Sequence, residues 1–324
     1  MRHSSQTAML VWPTQQKVVP EEPAMSTRQI TKGSVVVGVD GSASGDSALR
    51  WAVAEAQRTR QPLHVVHALE TEPVLTNRQQ FGTKQTPASS DPVLTAALGL
   101  VRAMAPQLPA TAHSVTGFAA ATLIAASKIA GTIVVGSRGR GALPSALLGS
   151  VSQQVAIHSS SAVVVVRDNN TQGGGSGRVV VGVDGSEASQ PALAYGFAYA
   201  SSTGSSLTAV HTWWWEPLEG VSLGEPWIGD WTEISNQEAT LVSELLASYA
   251  EQYPDVSVRS HVVRGDPVVE LLEQSKGASL LVVGSRGRGG FMGLLLGSVS
   301  RRILKRATAP VAVVRSDGGA KPAS

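Results

Sequence analysis

The chain has 324 residues, 42% hydrophobic and 15% charged, and its 26 basic and 24 acidic residues leave a formal net charge of +2. That balance suits two globular domains of about 150 residues each, and it gives no general case for nucleic acid. With no cysteine, disulfides, thiolate metal sites and cysteine nucleophiles are excluded, and no apolar run approaches the roughly 18 residues of a membrane span. A cytoplasmic protein is the expectation.

Residues 1–33 are rich in Gln, Ser, Thr and Pro without periodicity and read as a flexible N-terminal extension. Their apolar run is shorter than the core of about 7–15 residues that a secretory signal needs.

Beyond it the chain repeats. Val35–Ser42 is identical to Val179–Ser186, 144 residues on; Val134–Gly141 is identical to Val282–Gly289, 148 residues on; Leu147–Ser152 is identical to Leu295–Ser300. Matched blocks in one order at a nearly constant offset mean two copies of one domain, here 34–168 and 178–316. Residues 169–177, NNTQGGGSG, read as a flexible linker and 317–324 as a tail.

Within a copy, strands and helices alternate. Val35–Val39 is a continuous apolar run of the kind buried on both faces. A helix follows from about Ser47, with Leu49, Ala52, Val53 and Ala56 on one face; Leu193, Gly196, Phe197 and Ala200 fill those places in copy two. Next come a strand at Leu63–Ala68 or Leu207–Thr212 and a helix at Pro92–Met104 or Glu233–Tyr253. A third strand follows at Ala112–Val115 or Ser257–Val263, then a helix at Ala120–Lys128 or Val268–Gln274. A fourth strand, a glycine-rich loop, a helix and a fifth strand at Val163–Val166 or Val311–Val314 close each copy. This order predicts an α/β fold in which each copy is a five-stranded parallel sheet with helices on both faces, ligands binding beyond the carboxyl ends of the strands.

The chemistry concentrates in the loop after the fourth strand: GSRGRGALPSALLGSVS in copy one and GSRGRGGFMGLLLGSVS in copy two. The first two motif glycines, Gly136 and Gly139 or Gly284 and Gly287, permit positive φ and close approach of backbone N–H groups to an anion. The third, Gly149 or Gly297, opens a Ser-Val-Ser helix start where N–H groups and the helix dipole favour phosphate and serine hydroxyls can add bonds. Arg138, Arg140, Arg286 and Arg288 supply charge. There is no Gly-Lys of a Walker loop, and the glycines fail the G-x-G-x-x-G spacing. The alternative is a tight turn with no ligand.

G-x-x-G-x9-G-S after the fourth strand, with V-G-V-D-G-S in the first, resembles the universal stress protein family, and within it the tandem-domain, ATP-binding branch common in mycobacteria and other actinobacteria. The resemblance spans residues 34–316. It implies flavodoxin-like or adenine-nucleotide hydrolase-like domains with one ATP site per copy, Mg being an optional companion of the ATP, a nucleotide-dependent regulatory role in stress or growth adaptation, and protein partners not yet identified. The last strand often pairs across a dimer in that family, and two alternatives stay open: the two copies satisfy that pairing within one chain, or the chain also forms a homodimer. Carried over residue by residue, Gly38, Asp40 and Ala68 line the adenine and ribose side in copy one. Gly136, Ser137, Arg138, Gly139, Arg140, Gly141 and Ala142, with Gly149, Ser150, Val151 and Ser152, take the phosphates. In copy two the positions are Gly182, Asp184 and Thr212, then Gly284, Ser285, Arg286, Gly287, Arg288, Gly289 and Gly290, with Gly297, Ser298, Val299 and Ser300. For Asp40 and Asp184 the alternative role is capping the following turn.

Copy one departs from the pattern: Val-Thr-Gly-Phe-Ala119 stands where copy two has Val-Arg-Gly-Asp-Pro267, and Ala130 stands where an acidic residue is usual. No catalytic base is assignable, so a regulator is preferred over a slow metal-dependent ATPase or phosphotransferase with Asp40 or Asp184 on the metal; a non-binding scaffold is the third reading. His67 and His211 read as strand-end histidines with backbone partners. Trp213–Trp215, Trp227 and Trp231 read as a lid, a partner surface or a packed loop, and Arg301–Arg306 as the solvated face of a helix.

Overall fold

The computed structural model describes residues 30–69, 90–141, 147–167, 177–213, 231–287 and 295–315. In copy one the elements are β1 (Val35–Gly38), α1 (Ala43–Thr59), β2 (Leu63–Leu69), α2 (Pro92–Met104), β3 (Ala110–Thr116), α3 (Ala119–Ala126), β4 (Thr132–Gly136), α4 (Ser150–His158) and β5 (Ala162–Val166). Copy two repeats them as β6 (Arg178–Val183), α5 (Gln190–Thr203), β7 (Ser206–Trp213), α6 (Trp231–Gln252), β8 (Val258–Arg264), α7 (Pro267–Gln274), β9 (Leu280–Gly284), α8 (Ser298–Arg306) and β10 (Val311–Val314).

Each copy has the strand order 3-2-1-4-5 with parallel pairing throughout, as the alternating pattern predicts. Successive side chains of a strand face opposite ways, and the valine runs show it. Val35, Val37 and Val39 pack with α1 and α2, whereas Val36, Ile133 and Val135 pack with α3 and α4. A strand buried on both faces carries no polar residue there, which is why alternation is invisible in the sequence.

The two five-stranded sheets are not separate. β5 pairs antiparallel with β10, Val311 facing Val165 and Val313 facing Val163, so one sheet runs through ten strands. Of the two arrangements the resemblance leaves open, the last-strand pairing is made inside this chain. Because the seam is antiparallel, the carboxyl ends of copy-one strands lie at one edge of the sheet and those of copy two at the opposite edge.

Arginines lock the seam. Arg167, one residue past β5, donates to the Leu304 carbonyl in the last turn of α8 at 2.8 Å. Arg315, one residue past β10, donates to the Ala156 carbonyl of α4 at 3.1 Å and also to Ile157. A cation at a helix C-terminus satisfies carbonyls the helix cannot and meets the negative end of its dipole.

Candidate functional site

β1 and β6 end at the switch in strand order, and the chain there turns sharply. Asp40 accepts at one oxygen from the Ser42 N–H (3.0 Å) and hydroxyl (2.6 Å); Asp184 holds Ser186 at the same distances. Gly41 and Gly185 occupy the turn with φ of +74°, a conformation that side chains resist. Ser42 then caps α1 by accepting from the Gly45 N–H, so α1 starts at Ala43, earlier than the apolar stripe suggests. In copy two Ser186 makes no such cap, and a short 3-10 turn at Glu187–Ser189 precedes α5.

The turn-capping role of both aspartates is therefore present. Their second oxygens do more, for each reaches the glycine loop. The Arg140 N–H donates to Asp40 Oδ2 at 2.8 Å. A Cβ on Gly139 would lie 2.7 Å from Asp40 Oδ2, and one on Gly287 would lie 2.5 Å from Asp184 Oδ2. These glycines are required by close approach to a carboxylate; neither they nor Gly136 and Gly284 have positive φ, contrary to one reason expected for them. Partial burial works against ionising Asp40, but the bonds from Ser42 and the Arg140 N–H prevail and hold its pKa below the usual carboxylate value. An ionised carboxylate has about four lone-pair positions. The Ser42 N–H and hydroxyl and the Arg140 N–H engage three of them, which leaves one on Oδ2 to accept a hydroxyl.

The far end of the loop is clasped identically in both copies. The Gly149 N–H donates to Ser137 O at 2.7 Å and the Ser152 hydroxyl to Gly136 O at 2.6 Å; Gly297 and Ser300 repeat both distances on Ser285 and Gly284. The hydroxyl protons of Ser152 and Ser300 are thus spent inside the loop and are not donors for an anion. No side chain caps Gly149 or Gly297. The first helical rings close from Gln153 to Gly149 and from Arg301 to Gly297, so the N–H groups of 150–152 and 298–300 have no helical acceptor. Three outward N–H groups at the positive end of a helix dipole suit a phosphate. In both copies the described residues therefore set a helix N-terminus able to receive a phosphate group beside the aspartate-ended strand.

Other expected site residues fall in two groups. Gly38 and Gly182 serve packing: a Cβ there would lie 2.8 Å from Leu123 and 3.2 Å from Leu271. Ala68 and Thr212 are half-buried near the carboxyl ends of β2 and β7, at the edge the aspartates define. Gly141 is exposed; Ala142, Arg288, Gly289 and Gly290 lie outside the described residues. Arg140 lies across the turn, since a Cβ on Gly41 would meet its guanidinium at 2.6 Å. In copy two an open cleft of about 1090 Å³ runs from Gly287 along Ser186, Glu187 and Gln190 to Tyr249.

The histidines differ from expectation. His67 bonds not to backbone but to the buried Asp91 (2.8 Å), which also caps α2 and accepts from Ser114. His211 has the expected backbone partner, Val183 O at 3.0 Å, and in addition Glu238 at 2.8 Å. Among the described residues no three His, Asp or Glu side chains gather to hold a metal. Trp213 stacks on Trp231 with Arg264 over the latter ring (centroid distances 6.1 and 4.0 Å); Trp214, Trp215 and Trp227 lie outside the described residues. Arg301, Arg302, Lys305 and Arg306 are exposed around the buried Ile303 and Leu304, as expected of that helix.

Fold and loop together define a tandem α/β protein with a non-Walker glycine cradle at the switch point of each copy. A profile described as "Universal stress protein family" matches residues 33–167 and 175–315. The chain is 39% identical over 301 residues to a universal stress protein of Mycolicibacterium smegmatis, covering 88% of this chain and 98% of that relative. It is 37% identical over 304 residues to one of Mycobacterium tuberculosis, covering 87% and 96%. Among solved structures, a universal stress protein from Archaeoglobus fulgidus aligns with a TM-score of 0.60 at 21% identity, over 87% of this chain and 98% of that one. This chain belongs to the universal stress protein family, with two such domains in tandem.

Proposed function

We propose that each copy binds an adenine nucleotide, ATP, in the cradle between the aspartate-ended first strand and the glycine loop, and that the protein acts as a nucleotide-dependent regulator. The observation that carries this reading is the duplicated loop. Its clasp has the same two distances in both copies, 2.7 and 2.6 Å, although neighbouring segments have diverged. In this reading the N–H groups of 150–152 and 298–300 hold phosphate oxygens, and the remaining lone pair of Asp40 accepts a ribose hydroxyl, Asp184 standing in the matching place in copy two. Loop arginines neutralise charge, with Mg accompanying the phosphates. No residue is assigned to activate water, so the bound state is the signal and protein partners read it.

Titration calorimetry of the full chain with MgATP tests this, the expected result being two sites per chain. Gly139→Val and Gly287→Val each drive a side chain into an aspartate carboxylate, and each should remove one site. Wild-type protein with no measurable ATP binding would sink the reading; a doubly substituted chain, folded by circular dichroism, that still binds at two sites would remove the loop from it.

A further inference from the structure

Helices α1 and α5 are counterparts, 144 residues apart in sequence, and they meet beside the β5–β10 seam. The register locates an approximate two-fold axis, because Ala312 faces Val164, its own counterpart in the other copy. About such an axis, contact of one residue with a second implies contact of the second's counterpart with the first's. The chain satisfies that rule with unlike side chains. Trp51 stacks on Tyr199, the rings 6.3 Å apart and 3° from parallel. Their counterparts, Tyr195 and Glu55, lie within electrostatic reach: burial first, then the Glu55 charge, push the Tyr195 phenol pKa well up. Arg58 meets its own counterpart, donating to the Ser202 hydroxyl at 2.5 Å, and lies 4.9 Å over the Tyr199 ring. Its other N–H groups hold the buried Glu55 carboxylate at 2.8 and 2.5 Å.

Neither stripe fits itself. Two copy-one stripes would bring Arg58 against Arg58 where one guanidinium now meets a small hydroxyl, and would put a carboxylate under each tryptophan in place of a tyrosine ring. Two copy-two stripes would set Ser202 against Ser202 and lose both the guanidinium bond and its stacking on the Tyr199 ring. Like charges facing each other at the solvent-facing margin of the seam, and a second carboxylate under the buried Trp51, each penalise the wrong partner.

We propose that Trp51, Glu55 and Arg58 on α1, with Tyr195, Tyr199 and Ser202 on α5, form a pairing address that seats copy one only on copy two. The partner is the other half of this chain, and pairs of like copies are excluded. The chain then closes on itself instead of growing through its seam strands. The address is independent of the nucleotide reading.

The test uses the folded full chain with a protease site placed within residues 169–176. After cutting, isotopically labelled and unlabelled batches are mixed, left to exchange and resolved by native mass spectrometry. Random re-pairing gives like-copy pairs as abundant in total as unlike pairs. The address predicts exchange of label mainly into unlike pairs, outnumbering each like-copy pair by at least about twentyfold, about tenfold beyond the random ratio, which is about 1.4 kcal/mol of discrimination. Random pairing, a preference for like copies, or halves that part into single copies would overturn it. In the uncut chain Ser202→Arg recreates the facing arginines. It should lower the unfolding midpoint by several degrees more than Ser202→Ala, and equal midpoints would also overturn the proposal.

Discussion

His113 makes copy one sensitive to acid in a measurable way. The Thr31 N–H donates to His64 Nε2 at 3.2 Å, so that nitrogen carries no proton and His64 Nδ1–H must donate across 2.9 Å to His113 Nε2. Both rings are buried. Burial first, and the His64 charge second, pull the His113 pKa from 6.5 to about 4. Between those values the unfolded chain holds a proton that the folded chain refuses, so stability falls as pH drops through that window. Linkage gives a loss of about 2 kcal/mol between pH 7.5 and pH 5, and burial of His64 adds to it in the same direction. Replacing His113 with Gln keeps an acceptor for His64 and removes the titration. Urea unfolding followed by circular dichroism at both pH values should show the wild type losing about 2 kcal/mol more than His113→Gln. If His113→Gln loses as much as the wild type, the imidazole pair is not the acid-sensitive element.

Three further substitutions probe the frame around the loops. Ser300→Ala strands the Gly284 carbonyl and should cost about 1–3 kcal/mol by chemical denaturation. Arg315→Met leaves the C-terminal carbonyls of α4 without their donor across the seam and should cost about 1–3 kcal/mol, measured as a lower thermal midpoint. Phe118, 82% exposed, starts α3 at φ −79° and ψ 119° without a side-chain cap; Asp266 starts α7 at −73° and 121° and accepts from two N–H groups. Phe118→Asp should therefore stabilise the chain by about 1 kcal/mol in a thermal melt.

The elements were legible because this fold writes its strands as unbroken valine runs and because a repeat shows each element twice. Pro92–Met104 and Val311–Val314 were placed to the residue, and the other boundaries moved by a few positions, mostly where a cap decides the end. The start of α1 depends on the Ser42 hydroxyl reaching the Gly45 N–H, which no apolar period records. Within the candidate site, the loop was visible as a motif, whereas the reach of Asp40 to residues 139 and 140 spans about a hundred positions of sequence. The carboxylate partners of His67 and His211 come from helices that follow variable stretches, so neither spacing nor composition flags them. The seam was hidden for a related reason. Trp51, Glu55 and Arg58 look like an ordinary mixed helix face until α5 is laid against them.

The paired arginines have a consequence for how the two cradles, at opposite edges of the sheet, are mechanically connected. Helix α8 begins at the Gly297 cradle of copy two and ends under Arg167 of copy one; α4 begins at Gly149 and ends under Arg315 of copy two. Each rod therefore has one end in its own cradle and the other tethered to the opposite half. Tilting either rod at its cradle strains a hydrogen bond that the other half owns.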